Sequence, residues 1–300
     1  MHYTFIQLLF FFYFYCIVGW IWETSYVSVR EKHFVNRGFL KGPMIPIYGT
    51  GAVLMLLVTL PFRGHLTLMF LAGSISATIM ELLTGMTMEA IFKVRYWDYS
   101  EVKLNFKGYI SLWSSLLWGV FTLGLVEIIH KPVEHLMYMI AVKYLNLIVM
   151  FVSLIFVSDL VSSIKTALDI RDILVKLEAV KDEVGRYQKR LDVILAFAES
   201  DIQNIKEERS GKISDTIESL ERRVAAAREK FDIGNIGDDI REEIGDIRVK
   251  LGELKGKLSF ITGWKDFMRR QMFRGNPYMK SGKYGDVLSE LKDMVSKKNK

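Results

Sequence analysis

Two carboxylates interrupt an otherwise apolar stretch of the chain, and their chemistry needs an explanation. Glu81 and Glu89 share this stretch with the small or hydroxyl side chains of Ser74, Thr78 and Gly85. Steps of four, three, four and four residues place all five on one face of an α-helix. A charge at mid-bilayer costs roughly 2.5–3.5 kcal/mol, so such residues usually face a protein interior or a wet cavity. The spacing therefore predicts a polar helix face that packs against other helices or water.

Other polar and aromatic residues are expected at the same level of the protein. Besides Glu81 and Glu89, the candidate ligand-binding residues are Trp20, Glu23, Arg37, Tyr48, Trp97, Asp98, Asn105 and Trp118. Three interpretations stay open at this point, and one of them is that the carboxylates simply sit in interfacial water. The charged residues form an ion-pair network that closes the helix bundle, for example Arg37 with Glu23 or Glu89. Alternatively they form a functional pocket, because the carboxylates outnumber the arginine that would neutralise them.

The elements that must position these residues are apolar segments of membrane-spanning length. A span needs about 20 predominantly apolar residues. Five windows qualify, at residues 4–23, 45–62, 66–92, 110–130 and 135–160. The second is the shortest, and the first has neither the basic start nor the cleavage site of a signal peptide. We therefore predict an all-α fold, a polytopic membrane helix bundle of about five spans.

Positive residues in the loops indicate the orientation of the bundle. The loops after the first and third spans contain eight of them, Arg30, Lys32, Arg37, Lys41, Lys93, Arg95, Lys103 and Lys107. The opposite loops contain only Arg63 and Lys131. Because positive residues concentrate in cytoplasmic loops, we expect the N-terminus outside and the C-terminal half in the cytoplasm of a plasma-membrane protein. The candidate site then lies in the cytoplasmic leaflet.

The C-terminal half changes to charged sequence with heptad spacing. The apolar seams are Leu177, Val184, Tyr187, Leu191, Ile194 and Ala198; Ile213, Ile217, Leu220, Val224, Ala227 and Phe231; and Ile240, Ile244, Ile247, Leu251, Leu254, Leu258 and Ile261. Such seams pair helices, within one chain or between two chains of a homo-oligomer. Breaks are expected at Gly211 and at residues 234–237. We expect three domains: a transmembrane domain at 1–165, a cytoplasmic helical, coiled-coil-like domain at 166–265, and a basic tail at 266–300 in water or on anionic lipid.

Several function classes lack their motifs in this sequence. It contains no P-loop, no H-E-x-x-H, no paired cysteines for zinc and no G-x-S-x-G. Cys16 is the single cysteine, so an intramolecular disulfide is impossible. Basic–aromatic patches for nucleic acid are missing as well. We therefore expect no cofactor, no metal site and no nucleic-acid partner, and the lipid bilayer as the main surroundings.

A series of short motifs makes the first half of the chain resemble a known family. The residues are Gly19-Trp20 with Glu23, the R-G-F-x-x-G-P-x-x-P-x-Y-G string at 37–49, Glu81, Glu89, W-D-Y-S at 97–100, Asn105 with Gly108, and Trp118-Gly119. Their order and spacing are similar to those of bacterial ABC-transporter permeases of type IV, over residues 8–165. The ending from Pro277 to Leu291 is also similar to that of family members. The resemblance implies a membrane component whose ATPase is a separate polypeptide, and it groups the glutamates, Arg37 and the W-D-Y-S loop as one site.

Three hypotheses of function follow. The leading one is a transport-related membrane subunit with a polar site for a small ligand or coupling ion. The second is an intramembrane enzyme that acts on a lipid or envelope precursor, with carboxylates as acid and base and Arg37 on a phosphate. The third is a non-catalytic scaffold or signalling subunit in which the heptads bind a soluble partner. The sequence carries no nucleophile that would favour the enzyme.

Overall fold

The computed structural model describes residues 3–197, 212–233, 238–263 and 267–297, and most of these are helical. The helices are α1 (Phe5–Glu31), α2 (Pro46–Thr59), α3 (Leu66–Phe92), α4 (Leu112–Gly124), α5 (His130–Met139), α6 (Val142–Phe197), α7 (Ile213–Ile233), α8 (Asp238–Thr262), α9 (Phe267–Gly275) and α10 (Gly285–Lys297). A small antiparallel hairpin pairs β1 (Asn105–Phe106) with β2 (Ile110–Ser111). The predicted all-α class is confirmed.

Four helices in the described part of the chain are long and apolar enough to cross a membrane. They are Phe5–Glu31, Leu66–Phe92, Leu112–Met139 and Val142–Ala196. The second predicted window forms a shorter apolar helix, Pro46–Phe62, whose last turn is a 3-10 helix. The five windows therefore correspond to four helices of spanning length and one shorter helix.

The third of these helices, Leu112–Met139, continues past the predicted loop at Lys131. A π-helical segment, Leu125–Ile129, joins α4 to α5, and the chain turns only at residues 140–141. Pro132 lies just after this segment. Proline removes one backbone donor inside a helix, and a local π segment is a common way to accommodate such an irregularity. Helix α5 can therefore continue the direction of α4 where the charge pattern suggested a loop.

The chain divides into two compact units. Unit 1 contains Met1–Ile170 and Phe267–Gly282, and unit 2 contains Arg171–Asp266 and Lys283–Lys300. Helix α6 therefore belongs to unit 1 at its beginning and to unit 2 at its end. The segment that the sequence assigns to a single basic tail is shared between the two units.

Small residues bring the helices of unit 1 into close contact. A Cβ atom at Gly19 on α1 would overlap the ring of Tyr48 on α2, and one at Gly119 on α4 would overlap the Ser74 hydroxyl on α3. In a membrane, where water does not drive apolar groups together, such close backbone approach is a main source of helix association. The opposite face of α3 exposes Ile79 and Leu83, as expected for a helix side that faces lipid.

In unit 2 the heptad seams are buried within a single chain. Leu177, Ile217, Val224 and Leu251 are each at most 1% exposed, and α7 packs against α8. Four ion pairs lie on the outside of this bundle: Arg190–Glu243, Lys257–Glu183, Lys255–Glu221 and Arg223–Asp192. Ala198, Gly211, residues 234–237 and the side chain of Phe231 lie outside the described residues.

Candidate functional site

A cavity of about 440 Å³ lies in unit 1 where the polar residues of several helices converge. It is bounded by the end of α1, the start of α2, the second half of α3, the middle of α4 and the loops between them. Six of the ten candidate residues line it: Glu23, Arg37, Tyr48, Glu81, Trp97 and Trp118. Its volume falls within the range of small-molecule pockets. The remaining candidates, Trp20, Glu89, Asp98 and Asn105, lie in the surrounding contacts.

An ion pair forms the more exposed part of the cavity wall. Arg37 Nε lies 3.5 Å from Glu23 Oε2, with side-chain exposures of 14% and 29%. The Tyr48 hydroxyl donates to Glu23 Oε1 at 2.7 Å. Arg37 Nη1 also donates to Asn276 Oδ1 at 2.8 Å and to the Gly275 carbonyl at 3.2 Å. One of the predicted pairings, Arg37 with Glu23, is thus present, and both charges are held in place.

Glu81 forms the buried part of the cavity and is held only by neutral donors. Its side chain lies on α3, and the residue is 4% exposed. The Tyr99 hydroxyl donates to Oε1 at 3.0 Å, and Trp118 Nε1 and Ser114 Oγ donate to Oε2 at 3.1 and 3.5 Å. Among the residues that the structure describes, no lysine, arginine or histidine forms an ion pair with this carboxylate. Glu23 is thus paired with a cation, whereas Glu81 accepts hydrogen bonds from neutral groups.

The second glutamate of the stripe, Glu89, belongs to a different cluster. Arg95 Nε donates to Glu89 Oε2 at 2.6 Å, and the Tyr109 hydroxyl donates to the same oxygen at 2.6 Å. The Arg95 guanidinium lies 4.6 Å from the centre of the Tyr109 ring. Burial tends to lower the pKa of Arg95, but the hydrogen bond to Glu89 and the electrostatic effects of Glu89, Tyr109 and Asp98 together outweigh it, so the pKa is raised. Glu89 is therefore a neutralised carboxylate outside the cavity, and the alternative pairing with Arg37 is absent.

The loop between α3 and α4 is built around Asp98 and Asn105. Asp98 Oδ1 accepts from the Ser100 hydroxyl and backbone N–H, and Lys280 Nζ lies 3.0 Å from Oδ2. Burial tends to raise the pKa of Asp98, but these bonds outweigh it and the pKa is lowered. Asn105 donates to the carbonyl of Val102 at 2.8 Å and accepts from the Gly108 N–H at 3.0 Å. Both residues shape the loop and do not line the cavity.

This loop carries three aromatic residues, Tyr96, Trp97 and Tyr99, into the cavity wall. Trp97 Nε1 donates to the Tyr109 carbonyl at 3.0 Å, which fixes the indole against the hairpin. Tyr99 reaches Glu81 from the same loop. Burial, followed by the charge of Glu81, raises the pKa of Tyr99, so its hydroxyl remains a donor at neutral pH. The W-D-Y-S motif thus supplies Trp97 and Tyr99 to the wall, and Asp98 and Ser100 to the loop.

The loop between α1 and α2 is fixed by partly buried hydrogen bonds. Trp20 Nε1 donates to Asn36 Oδ1 at 2.6 Å, and Asn36 Nδ2 donates to the Lys41 carbonyl at 2.6 Å. Asp159 on α6 accepts from the backbone N–H of Gly42 at 2.8 Å. Trp20 therefore acts behind the wall, where it holds the loop that presents Arg37.

A C-terminal segment completes the site. We name residues Phe267–Gly282 the strap. Its Asn276, 1% exposed, lines the cavity and donates Nδ2 to the carbonyls of Gly38 and Met272, each at 3.0 Å. The Lys280 backbone pairs with that of Arg95 in an isolated antiparallel bridge. The basic composition of this part of the chain predicts a tail in water or on lipid, but the strap packs into unit 1, because its polar groups satisfy backbone groups of both loops.

Sequence reasoning missed several residues of the site for one common reason. Arg95 counted only as a loop charge and Asn276 only as part of a tail, and Ser114 and Tyr109 were not among the candidate residues. Each acts through a residue of another element of the fold: Glu89 for Arg95 and Tyr109, Glu81 for Ser114, and Arg37 for Asn276. The asparagine in the Asn276-Pro277-Tyr278 sequence was the available signal, because a single amide beside proline in a basic segment suggests an ordered turn.

Comparison with known proteins supplies a family for the first half of the chain. No curated protein and no solved structure matches it. The match found is to the family described as "Putative ABC-transporter type IV", over residues 10–164. That segment contains the bundle and most of the cavity wall, although the strap lies beyond it. Because the match covers more than half of the 300 residues, the chain belongs to this family of membrane, transport-related proteins.

Proposed function

We propose that the chain is a membrane subunit of a transport system and that the cavity in unit 1 is its ligand-binding site. The observation that carries the proposal is the convergence of Glu23, Arg37 and Glu81 on one cavity of about 440 Å³. Charged residues are costly in membrane helices and tend to mark substrate or ion pathways. The family match supports the same conclusion for the chain as a whole.

The charge pattern supports a cytoplasmic location for the cavity. The loops beside it contain Lys103, Lys107 and Lys41, whereas the opposite end has few positive residues. With the N-terminus outside, the ends of α1 and α3 lie at the cytoplasmic surface. Residues 1–165 then form the membrane domain, and unit 2 lies in the cytoplasm, where soluble subunits are available.

The family description supports an ATPase partner, and the sequence has no P-loop of its own. We therefore propose that the ATPase is a separate polypeptide that docks on the cytoplasmic side. Tagged protein purified from gently solubilised membranes should bring ATPase activity with it. A mock purification from untagged cells sets the background. Preparations that contain the intact chain and never exceed that background would contradict the partner.

The arrangement of Arg37 favours transport over the enzyme hypothesis. An enzyme that acted on a phosphorylated lipid would need this guanidinium free for a phosphate. Its donors are instead directed at Glu23, Asn276 and the Gly275 carbonyl. A ligand that binds through Glu81 and the aromatic residues of the wall leaves these contacts of Arg37 intact.

A cavity-filling variant tests the ligand site. Thr84 lines the cavity, whereas its neighbour Leu83 is 58% exposed on the other side of α3. Native mass spectrometry should detect a co-purifying small-molecule adduct on wild type and Leu83→Trp, and none on Thr84→Trp. Thermal unfolding in detergent confirms that both variants are folded. An adduct that persists in Thr84→Trp, or that is missing from all three proteins, would rule out the proposed site.

A further inference from the structure

We propose that the ligand of the cavity is an organic cation, an amine or a quaternary ammonium compound, and that Glu81 is its counter-ion. This inference rests on the proposed function, because it names the chemical class that the ligand site would take. It goes further in assigning separate roles to the two carboxylates, one structural and one for the ligand.

When Glu81 is ionised, the residues that line the cavity carry one negative charge that no positive side chain of the wall neutralises. Its acidic and basic residues are Glu23, Arg37 and Glu81. Arg37 is matched by Glu23 at 3.5 Å. Glu81 receives hydrogen bonds from neutral groups and, within the described residues, makes no ion pair. A monovalent cation in the cavity would balance this charge.

Burial makes that balance energetically important. Glu81 is 4% exposed, and an ionised carboxylate in such surroundings loses much of its hydration. Donors from Tyr99, Trp118 and Ser114 replace only part of it. In a medium of low dielectric constant the attraction between opposite charges is far stronger than in water. A cationic ligand is therefore the occupant that such a carboxylate favours most.

The remaining wall is suited to alkylammonium groups. Seven aromatic residues line the cavity: Phe39, Tyr48, Phe92, Tyr96, Trp97, Tyr99 and Trp118. The electron-rich faces of such rings attract cations, and quaternary ammonium groups are the ligands that aromatic cages typically recognise. Apolar side chains such as Met88, Ile91 and Leu160 complete the surface. They suit the methyl and methylene groups that are bonded to the charged nitrogen of an organic cation.

Other ligand classes fit this wall less well. A calcium ion takes six to eight oxygen ligands, whereas this wall offers one carboxylate that is free of cations. An anion would need Arg37, which is already committed to Glu23 and to the strap. A purely apolar ligand would leave the charge of Glu81 without compensation. The same carboxylate thus argues for a cation and against the alternatives.

The experiment compares two probes that differ in charge but hardly in shape. Choline is the cationic probe, and 3,3-dimethyl-1-butanol, with carbon in place of the quaternary nitrogen, is the neutral one. Isothermal titration calorimetry on the purified full chain in detergent should show saturable binding of choline. We expect the neutral analogue to bind at least about tenfold more weakly, because it lacks both the ion pair and the cation–π contacts.

Two glutamine variants locate the effect. Glu81→Gln keeps the size of the side chain and should weaken choline binding by about tenfold or more. Glu127→Gln is the control, because that carboxylate pairs with Lys131 on a more exposed surface, at 2.9 Å. It should bind choline like wild type. Thermal unfolding verifies that Glu81→Gln is folded.

The outcomes separate this inference from the proposed function. Equal affinity for the two probes, no binding of either, or undiminished choline binding by Glu81→Gln would overturn the organic-cation assignment. In that case an adduct lost in Thr84→Trp but retained in Leu83→Trp would still support a ligand site of another class. If that adduct also fails to appear, the ligand site itself is wrong.

Discussion

The hydroxyl of Tyr99 donates a hydrogen bond to Glu81 Oε1 at 3.0 Å, so a residue of a connecting loop supports a carboxylate inside a membrane helix. The two residues come from different motifs. Glu81 belongs to the polar stripe of α3, and Tyr99 belongs to W-D-Y-S. Their contact means that the loop and the cavity respond together to mutation, and this coupling can be measured.

Tyr99→Phe should destabilise the protein by about 1–3 kcal/mol, because it removes one donor from a buried carboxylate. Thermal unfolding in detergent measures the effect as a lower midpoint. Tyr144→Phe is a matched control, since Tyr144 is 62% exposed on α6. Equal midpoints for Tyr99→Phe and Tyr144→Phe would show that the contact with Glu81 contributes nothing to stability.

Replacement of Asn276 should loosen the strap. Asn276→Ala removes the bonds to the carbonyls of Gly38 and Met272 and the acceptor of Arg37, which should cost about 2 kcal/mol or more. Hydrogen–deuterium exchange should then increase in residues 267–282. Asn146→Ala, at an exposed position of α6, is the control. Unchanged exchange in the strap of Asn276→Ala would contradict the importance of these bonds.

Acid should weaken the contact between Asp98 and Lys280. The pKa of Asp98 is lowered from its ordinary value of 3.8, so the charged form is favoured in the folded protein. Its stabilising effect is fully present above that value and is lost as the pH falls through the lower pKa of the folded state. Unfolding midpoints between pH 5 and pH 2 should therefore fall less steeply for Asp98→Asn than for wild type. Parallel curves would contradict this assignment.

The proposed orientation predicts opposite accessibility for two exposed positions. Lys103→Cys lies between α3 and α4, and Ala141→Cys lies between α5 and α6. A membrane-impermeant maleimide should label Ala141→Cys in intact cells and Lys103→Cys only after lysis. The parent protein, whose single cysteine Cys16 is buried, gives the background level of labelling. Labelling of Lys103→Cys in intact cells would reverse the orientation.

Unit 2 allows a test of packing within one chain. Leu251 is fully buried on α8, whereas Val249 on the same helix is 61% exposed. Leu251→Ala should destabilise unit 2 by about 2–5 kcal/mol, and Val249→Ala should have a much smaller effect. The loss of helical circular dichroism on heating measures both. A lower midpoint for Val249→Ala alone would contradict the burial of Leu251 in the seam.

The heptad seams show what a periodic apolar pattern predicts and what it leaves open. Spacing alone identified Leu177, Ile217 and Leu251 as buried positions, because a helix repeats its faces every few residues. It left open whether the seams pair within a chain or between chains, since the same apolar surface satisfies both. The structure buries them within one chain, where ion pairs such as Arg190–Glu243 connect the helices.

The sequence by itself determined that Glu81 and Glu89 share one face of a membrane helix, because position along a helix fixes direction. It did not determine that Glu89 is neutralised by Arg95 while Glu81 has only neutral donors. That difference depends on the path of the loop between α3 and α4, and on contacts between residues far apart in the chain. Only the tertiary structure therefore decided which carboxylate lines the cavity, and that the strap, through Asn276, forms part of its wall.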